Sequence, residues 1–175
     1  MAISALIVHV VEAERLLSKL RSLYDPSAAN GVPAHITVLS PFKELAAISS
    51  GDILALERTF LSHSSFTFSL SEIGRWPRTT FLIPRPVEPF IELTNAVARA
   101  FPTYPPYNGK YASVVPHLTV SDGSAQGAAE AEAELRILLR THVSVRARCG
   151  EIELIENSSG KWKVRYRLQL AGSAA

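Results

Sequence analysis

Cysteine is almost absent from this sequence of 175 residues: Cys149 stands alone. One cysteine excludes a disulfide framework and a cysteine-based zinc site. Excess charge of one sign is missing as well, with 18 Lys and Arg against 16 Asp and Glu. A net charge of +2 excludes a polyanion-binding surface spread over the whole molecule, so any attraction to phosphate must be local. No apolar run approaches the ~18 residues needed to span a bilayer. Residues 1–11 are apolar enough to suggest a leader, but they lack a basic start, contain His9 and run into Glu12, Glu14 and Arg15. The expectation is a soluble, cytoplasmic protein. Familiar catalytic signatures are missing too. The chain has no Gly-x-x-x-x-Gly-Lys loop, no Gly-x-Ser-x-Gly elbow, and no His-x-x-x-His or His-Glu-x-x-His. A zinc site would want a third His or a carboxylate at ligand spacing, so no metal and no cofactor are expected.

What is present is a hydrophobic content of 47%, enough for a well-buried core, and one motif that occurs twice. His35-Ile36-Thr37-Val38 and His117-Leu118-Thr119-Val120 each follow a proline closely and sit among β-branched and apolar residues. Short apolar runs between turn-formers read as strands. Alternation in a strand puts His35 and Thr37 on one face and Ile36 and Val38 on the other, and the second copy does the same. A single His-x-Thr in a strand needs no function, because Thr is a strand-former and a half-buried His usually makes one hydrogen bond. Two copies matter if the surrounding chain repeats, and it does.

Residues 3–11 read as a strand, and Leu16, Leu17, Leu20 and Leu23 recur at helical spacing until Asp25-Pro26 stops them. A loop over 27–34 leads to the first motif strand. A helix from Ser50 or Asp52 carries Ile53, Leu56, Phe60 and Leu61. Phe66, Phe68 and Leu70 then alternate with Thr67, Ser69 and Ser71, and a turn at Trp76-Pro77-Arg78 returns the chain through Thr79–Ile83. From there the pattern restarts, with residues 83–89 matching 7–13 at an offset of 76. A helix follows (Phe90, Leu93, Val97, Phe101), then a longer loop over 102–113, the second motif strand, and a helix near 126–141 with Ala131, Leu135, Leu138 and Leu139. Strands over about 143–155 and 161–170 close the chain. The predicted organisation is a single domain over 1–175 with two pseudo-symmetric lobes, approximate repeats 3–75 and 79–155, and a closing strand at 161–170. Packed about a pseudo-twofold, the two motif strands would face each other across a groove, with helices covering Ile36, Val38, Leu118 and Val120.

Two histidines on opposite sides of a bound phosphate can act as base and acid together, since each exchanges a proton near neutral pH. Thr37 and Thr119 can donate hydroxyls to non-bridging phosphate oxygens as charge builds there. Neither a covalent nucleophile nor a metal is required. His9, His63 and His142 carry no motif and read as surface or structural. In the last strand Lys161, Lys163, Arg165 and Arg167 read as a solvated edge facing Glu151 and Glu153, in preference to an RNA-backbone stripe. Aromatic side chains near a nucleotide groove often stack on bases, which makes Phe42, Phe81, Tyr107 and Tyr111 candidates for base contact, with Lys110 beside them.

Pro33-Ala34-His35-Ile36-Thr37-Val38-Leu39-Ser40-Pro41-Phe42 and Val115-Pro116-His117-Leu118-Thr119-Val120 resemble the signatures of the 2H phosphoesterase superfamily, in its bacterial 2′-5′ RNA ligase (RNA cyclic phosphodiesterase) branch. The resemblance covers nearly the whole chain. It implies an α+β bilobal fold of two antiparallel-type sheets around a groove, flanked by helices and working as a monomer. It also implies metal-free chemistry on a 2′,3′-cyclic phosphate of an RNA end or nucleotide, with 2′-5′ ligation as the reverse-type reaction. His35 and His117 carry over as the catalytic pair and Thr37 and Thr119 as phosphate ligands. The resemblance makes His117 the base and His35 the acid, although near-symmetric motifs leave that order open. Better-known ligase members have an arginine shortly before the second motif, whereas here the stretch reads Tyr111 to Pro116 with Lys110 as nearest cation. That leaves room for a smaller substrate. Two alternatives stand beside this reading: a nucleotide-binding module without turnover, and a sugar-nucleotide cyclic phosphodiesterase.

Overall fold

The computed structural model describes residues 3–141 and 144–172, so His142 lies outside the described residues. In chain order the elements are β1 (Ser4–His9), α1 (Val11–Tyr24), the short α2 (Pro26–Ala29), β2 (His35–Leu39), α3 (Ser50–Leu61), β3 (Phe66–Trp76) and β4 (Thr79–Arg85). They continue as α4 (Glu88–Ala100), β5 (Leu118–Asp122), α5 (Ala125–Thr141), β6 (Val145–Cys149), β7 (Glu151–Glu156) and β8 (Lys163–Gln169). The strands pair antiparallel in the order β6-β3-β4-β5-β2-β1-β7-β8. This is the expected α+β class with antiparallel pairing and flanking helices. The two sheets are joined, however, because β2 and β5 share the register pair Ile36 with Leu118.

Each strand's hydrophobic pattern follows from its place in that order. β1 lies between β2 and β7 and is buried on both faces. Leu6 and Val8 enter the main core, while Ala5 and Ile7 meet Val32, Ile155 and Trp162 in a second, smaller cluster on the opposite face. That is why residues 3–11 are almost uniformly apolar. β6 is an edge strand, and its alternation of buried Val145, Ala147 and Cys149 with exposed Arg146 and Arg148 is one-faced.

The single strand expected over about 143–155 is two strands. Gly150 separates β6, which pairs with β3, from β7, which pairs with β1. The change from the alternating burial of Val145–Cys149 to the continuous burial of 152–156, Glu153 included, marks the passage from an edge to the interior. Strand order also interleaves the expected repeats: β3 pairs with β4 and β6, while β7 pairs with β1 and β8. We propose that a single domain of two repeats underlies this exchange.

Helices dock through specific polar contacts as well as apolar faces. The Thr94 hydroxyl on α4 donates to the Val38 carbonyl at 2.8 Å, tying α4 to β2. The Thr80 hydroxyl donates to the Ala128 carbonyl at 2.6 Å, tying β4 to α5. A capping box opens α3, with Ser49 accepting from the Asp52 amide and Asp52 from the Ser49 amide.

The segment leading into β2 is held from beneath by a buried ion pair. Arg21 on α1 meets Asp25 at 2.8 Å, both side chains being almost wholly buried, and also donates to the Val32 carbonyl at 3.1 Å. Glu14 accepts from the Ala34 amide. Removing one partner of a buried pair strands the other charge. Asp25→Ala is therefore expected to lower unfolding free energy by about 3–5 kcal/mol, measured by urea denaturation. A loss below about 1 kcal/mol would show that the pair is not a structural support.

Candidate active site

The pair Ile36 with Leu118 fixes the site's geometry. Both side chains are fully buried toward the helices, so their neighbours His35, Thr37, His117 and Thr119 project from the opposite face. Antiparallel register sets His35 beside Thr119 and Thr37 beside His117. Burial alternates as this requires, with the four polar residues half-buried and Ile36, Val38, Leu118 and Val120 in the core.

Both imidazoles are oriented by the same device. The Nδ1 of His35 lies 2.8 Å from the Pro33 carbonyl, and the Nδ1 of His117 lies 2.6 Å from the Val115 carbonyl. A carbonyl only accepts, so Nδ1 must donate, which leaves Nε2 of each ring for proton exchange. Burial pushes His35 down to about 4, opposed by its bond to Pro33, with the Arg21 charge lowering it further and a protonated His117 adding to the same effect. Burial also lowers His117, opposed by its bond to Val115.

Around these rings the predicted base contacts divide. Phe42 is not available: it is 4% exposed and packs edge-on against Phe101 at 5.1 Å and Tyr104 at 5.4 Å. Its place just past β2 turns it into the core, where its amide donates to the Ser4 carbonyl. Phe81 is beside His117 at 5.2 Å but only 4% exposed, so it supports the site from below and offers no stacking face. Tyr107 reaches Thr37 by a side-chain hydrogen bond, and burial raises its pKa, which keeps the hydroxyl protonated. Tyr111 is exposed and meets Tyr107 edge-on at 5.6 Å, with the Lys110 ammonium 5.5 Å from its ring centre. The backbone at Tyr107, Asn108 and Gly109 is left-handed (φ 52°, 55° and 71°), a turn whose tyrosine costs about 1–2 kcal/mol to hold there.

Two residues beside the motifs escape sequence reasoning. Trp76 stands 4.8 Å from His117 and 4.3 Å from Phe81. Local sequence places it in a turn, yet alternation from Gly74, which pairs with Phe81, sets it on the motif face. His9 is register partner to His35 across β1 and β2. Nothing local in the sequence announces that pairing. Its Nδ1 faces buried Glu153 at 3.7 Å, and Arg167 caps the same carboxylate at 3.2 Å. His63, by contrast, bonds the Thr59 carbonyl at the end of α3. Cys149 is buried and its thiol is pushed up to about 12, so it is no nucleophile. Among the described residues, no group of three His, Cys, Asp or Glu is arranged to hold a metal ion.

The sequence profile of the 2′-5′ RNA ligase superfamily matches residues 9–161. The chain belongs to that superfamily. Solved structures agree in fold. Escherichia coli LigT complexed with NADP+ is 17% identical over 97% of both chains, with a TM-score of 0.61. A protein described as a phosphoesterase is 15% identical over 97% of this chain and 98% of its own, at 0.62. A protein of Thermus thermophilus is 15% identical over 98% of this chain and 100% of its own, at 0.63. No curated protein sequence matches the chain. Membership of the 2′-5′ RNA ligase superfamily supports a phosphodiesterase-type or ligase-like function. Among the described residues, no helix is long and apolar enough to cross a membrane.

The His9–Glu153 contact generates a pH test. The Glu153 carboxylate raises His9, against burial, and His9 lowers Glu153, also against burial. The His9 contribution is full below its ordinary value of about 6.5 and is lost as pH rises through the raised value. The Glu153 contribution is full above the ordinary carboxylate range and is lost as pH falls through the lowered value. His9→Gln should therefore destabilise most near pH ~5–6, with the difference from wild type shrinking toward pH ~9. A pH-independent difference in chemical denaturation would exclude the charged pair.

Proposed function

We propose that the protein is a phosphodiesterase acting on the 2′,3′-cyclic phosphate of RNA ends or nucleotides, with His35 and His117 as its proton-transfer pair. The observation carrying this reading is the duplicated anchoring of the two rings: each Nδ1–H is committed to a carbonyl two residues back, and each Nε2 is left for the phosphate between them. Superfamily membership and the nucleotide in the LigT complex support it.

In hydrolysis one Nε2 takes a proton from water as its oxygen bonds to phosphorus. The other Nε2 gives a proton to the ribose oxygen as its bond to phosphorus breaks, and water is added overall. Thr37 and Thr119 donate to the non-bridging oxygens, where negative charge grows in the transition state. An RNA 5′-hydroxyl in place of water would give 2′-5′ ligation by the same two transfers. The chemistry asks for no metal, so turnover is expected to survive excess EDTA.

The resemblance makes His117 the base and His35 the acid. In the resting site burial leaves His35 the poorer proton holder, so that order requires the anionic phosphate to offset the burial. A substrate with a good leaving group separates the roles, because it departs without a proton. It should rescue His35→Ala and leave His117→Ala inactive; the opposite result reverses the order.

Each single Ala variant should lose roughly 10²–10⁴-fold in kcat with little change in stability. The double variant should fall well short of the product of the two losses, since both act in one step. Wild-type kcat/KM should be bell-shaped, because one ring must be neutral and the other protonated. Its acid limb should lie near the His35 value of about 4 and its alkaline limb below the ordinary 6.5 of His117. The limbs of kcat should lie higher, since bound phosphate favours protonation of both rings. Full activity of either single variant, or a flat kcat/KM profile across this range, would end the two-histidine reading. Absence of turnover on every cyclic phosphate, with binding retained, would point to a nucleotide-binding module.

A further inference from the structure

The motif row does not end at His35. His9 is the register partner of His35 across β1 and β2, and the Val10 amide donates to the Ala34 carbonyl at 2.8 Å. That bond makes 10 and 34 the hydrogen-bonded pair of the ladder. Positions 9 and 35 then form the closer, non-hydrogen-bonded pair, with Cβ atoms about 4.5–5.5 Å apart on one face. Thr119, His35 and His9 therefore form one row across β5, β2 and β1.

His9 is surrounded by charged groups from three further elements. Its Nδ1 lies 3.7 Å from Glu153 on β7, a residue that is 2% exposed. Arg167 on β8 reaches the other oxygen of that carboxylate at 3.2 Å and also meets Glu151 at 3.4 Å. Glu14 on α1 adds a second negative charge near the ring. On the β2 side stands His35, whose own charged neighbours are Arg21 and Asp25. Glu153 and, more weakly, Glu14 raise the His9 pKa, against burial and the Arg167 charge. The Nε2 of His9 and the Glu153 oxygen facing Nδ1 are buried without a hydrogen-bond partner among the described residues. An interaction kept for stability alone would bring such atoms to hydrogen-bonding distance.

Charge balance at this end of the row rests on His9. With its ring protonated, His9 and Arg167 offset Glu153 and Glu14. With its ring neutral, two carboxylates face one guanidinium that Glu151 also contacts, and the end repels an anion. The motif rings do not supply the missing charge in the resting site, because burial lowers both His35 and His117. We propose that His9 is a positioning residue for the substrate: its imidazolium, held by Glu153, admits the phosphate to the His35 side of the site, and its deprotonation closes that side to anions. This rests on the phosphodiesterase reading for the place of the phosphate between the motif rings.

The test reads binding apart from turnover. In the full chain, His35→Ala with His117→Ala removes the two rings whose own titration would follow a bound phosphate. A nucleoside 2′,3′-cyclic phosphate keeps one negative charge throughout the range, and its Kd is measured by titration calorimetry from pH ~6 to pH ~9. Kd should be lowest below the ordinary histidine value of about 6.5 and rise as pH passes the raised value of His9. The rise should be roughly 5- to 100-fold, as for a unit charge about 6–8 Å from the phosphate at an effective dielectric constant of about 20–40. Adding His9→Gln should give the weak Kd at every pH, and adding His9→Lys the strong one. Glu153→Gln should move the rise to lower pH, since burial then acts on His9 with less opposition. A structural role alone would shift Kd equally at all pH values. A Kd independent of pH in the chain that keeps His9, or an unchanged rise in His9→Gln, would overturn the proposal. The first of these results needs no substitution at His9, so it decides even if His9→Gln does not fold. Turnover decides the other reading separately: full activity of His35→Ala or His117→Ala ends proton transfer by these rings, whereas pH-independent binding ends only the role of His9.

Discussion

Ile36 and Leu118 join β2 to β5, and they are fully buried on the helix side of the sheet. Burial of these two side chains toward the helices decides which way their neighbours point. A slip of one residue in either strand would turn that strand's histidine into the core and expose its anchors. The apolar cost of that slip, about 1.5–3 kcal/mol for each large side chain exposed, is what keeps the register and therefore the site. The hydroxyl of Thr94 on the Val38 carbonyl reinforces the same strand from the helix side.

Orientation of the rings is a separate matter from placement of the strands. Each imidazole is held by a carbonyl two residues upstream, so the device is local and is carried by the chain that leads into each motif. The lead into the first motif is itself held. Arg21, Asp25 and Glu14 grip residues 32–34 from within the fold, and the Arg21 charge also discourages protonation of His35. The ion pair that supports the strand thus also acts on His35, Arg21 discouraging its protonation and Asp25 favouring it.

The sheet's strand order explains why so short a chain can hold a site between two halves. β3 and β7 each pair across the boundary of the sequence repeats, so neither half is a contiguous stretch of chain. The two halves of the sheet meet at the single β2–β5 pair, Ile36 with Leu118, and the segments β2–β3 and β6–β7 cross between them.

Local pattern by itself determined most of the elements and the two motif faces. Period-two alternation around His35 and His117 settled which residues share a face, and helical spacing settled α1, α3, α4 and α5, because both signals depend only on neighbours a few residues away. The twofold occurrence of His-x-Thr also made the four motif residues legible without any structure. Long-range pairing decided the rest. Gly150 splits what alternation alone joins, since only the partners of β6 and β7 show that they lie in different parts of the sheet. Phe42 and Trp76 exchanged roles for the same reason: burial of the one beneath α4's end and exposure of the other on Phe81 depend on residues far away in sequence. His9 became a neighbour of His35 only through the β1–β2 register. Contacts between strands carry no local signature, so which aromatic surface meets the site was a property of the tertiary structure alone.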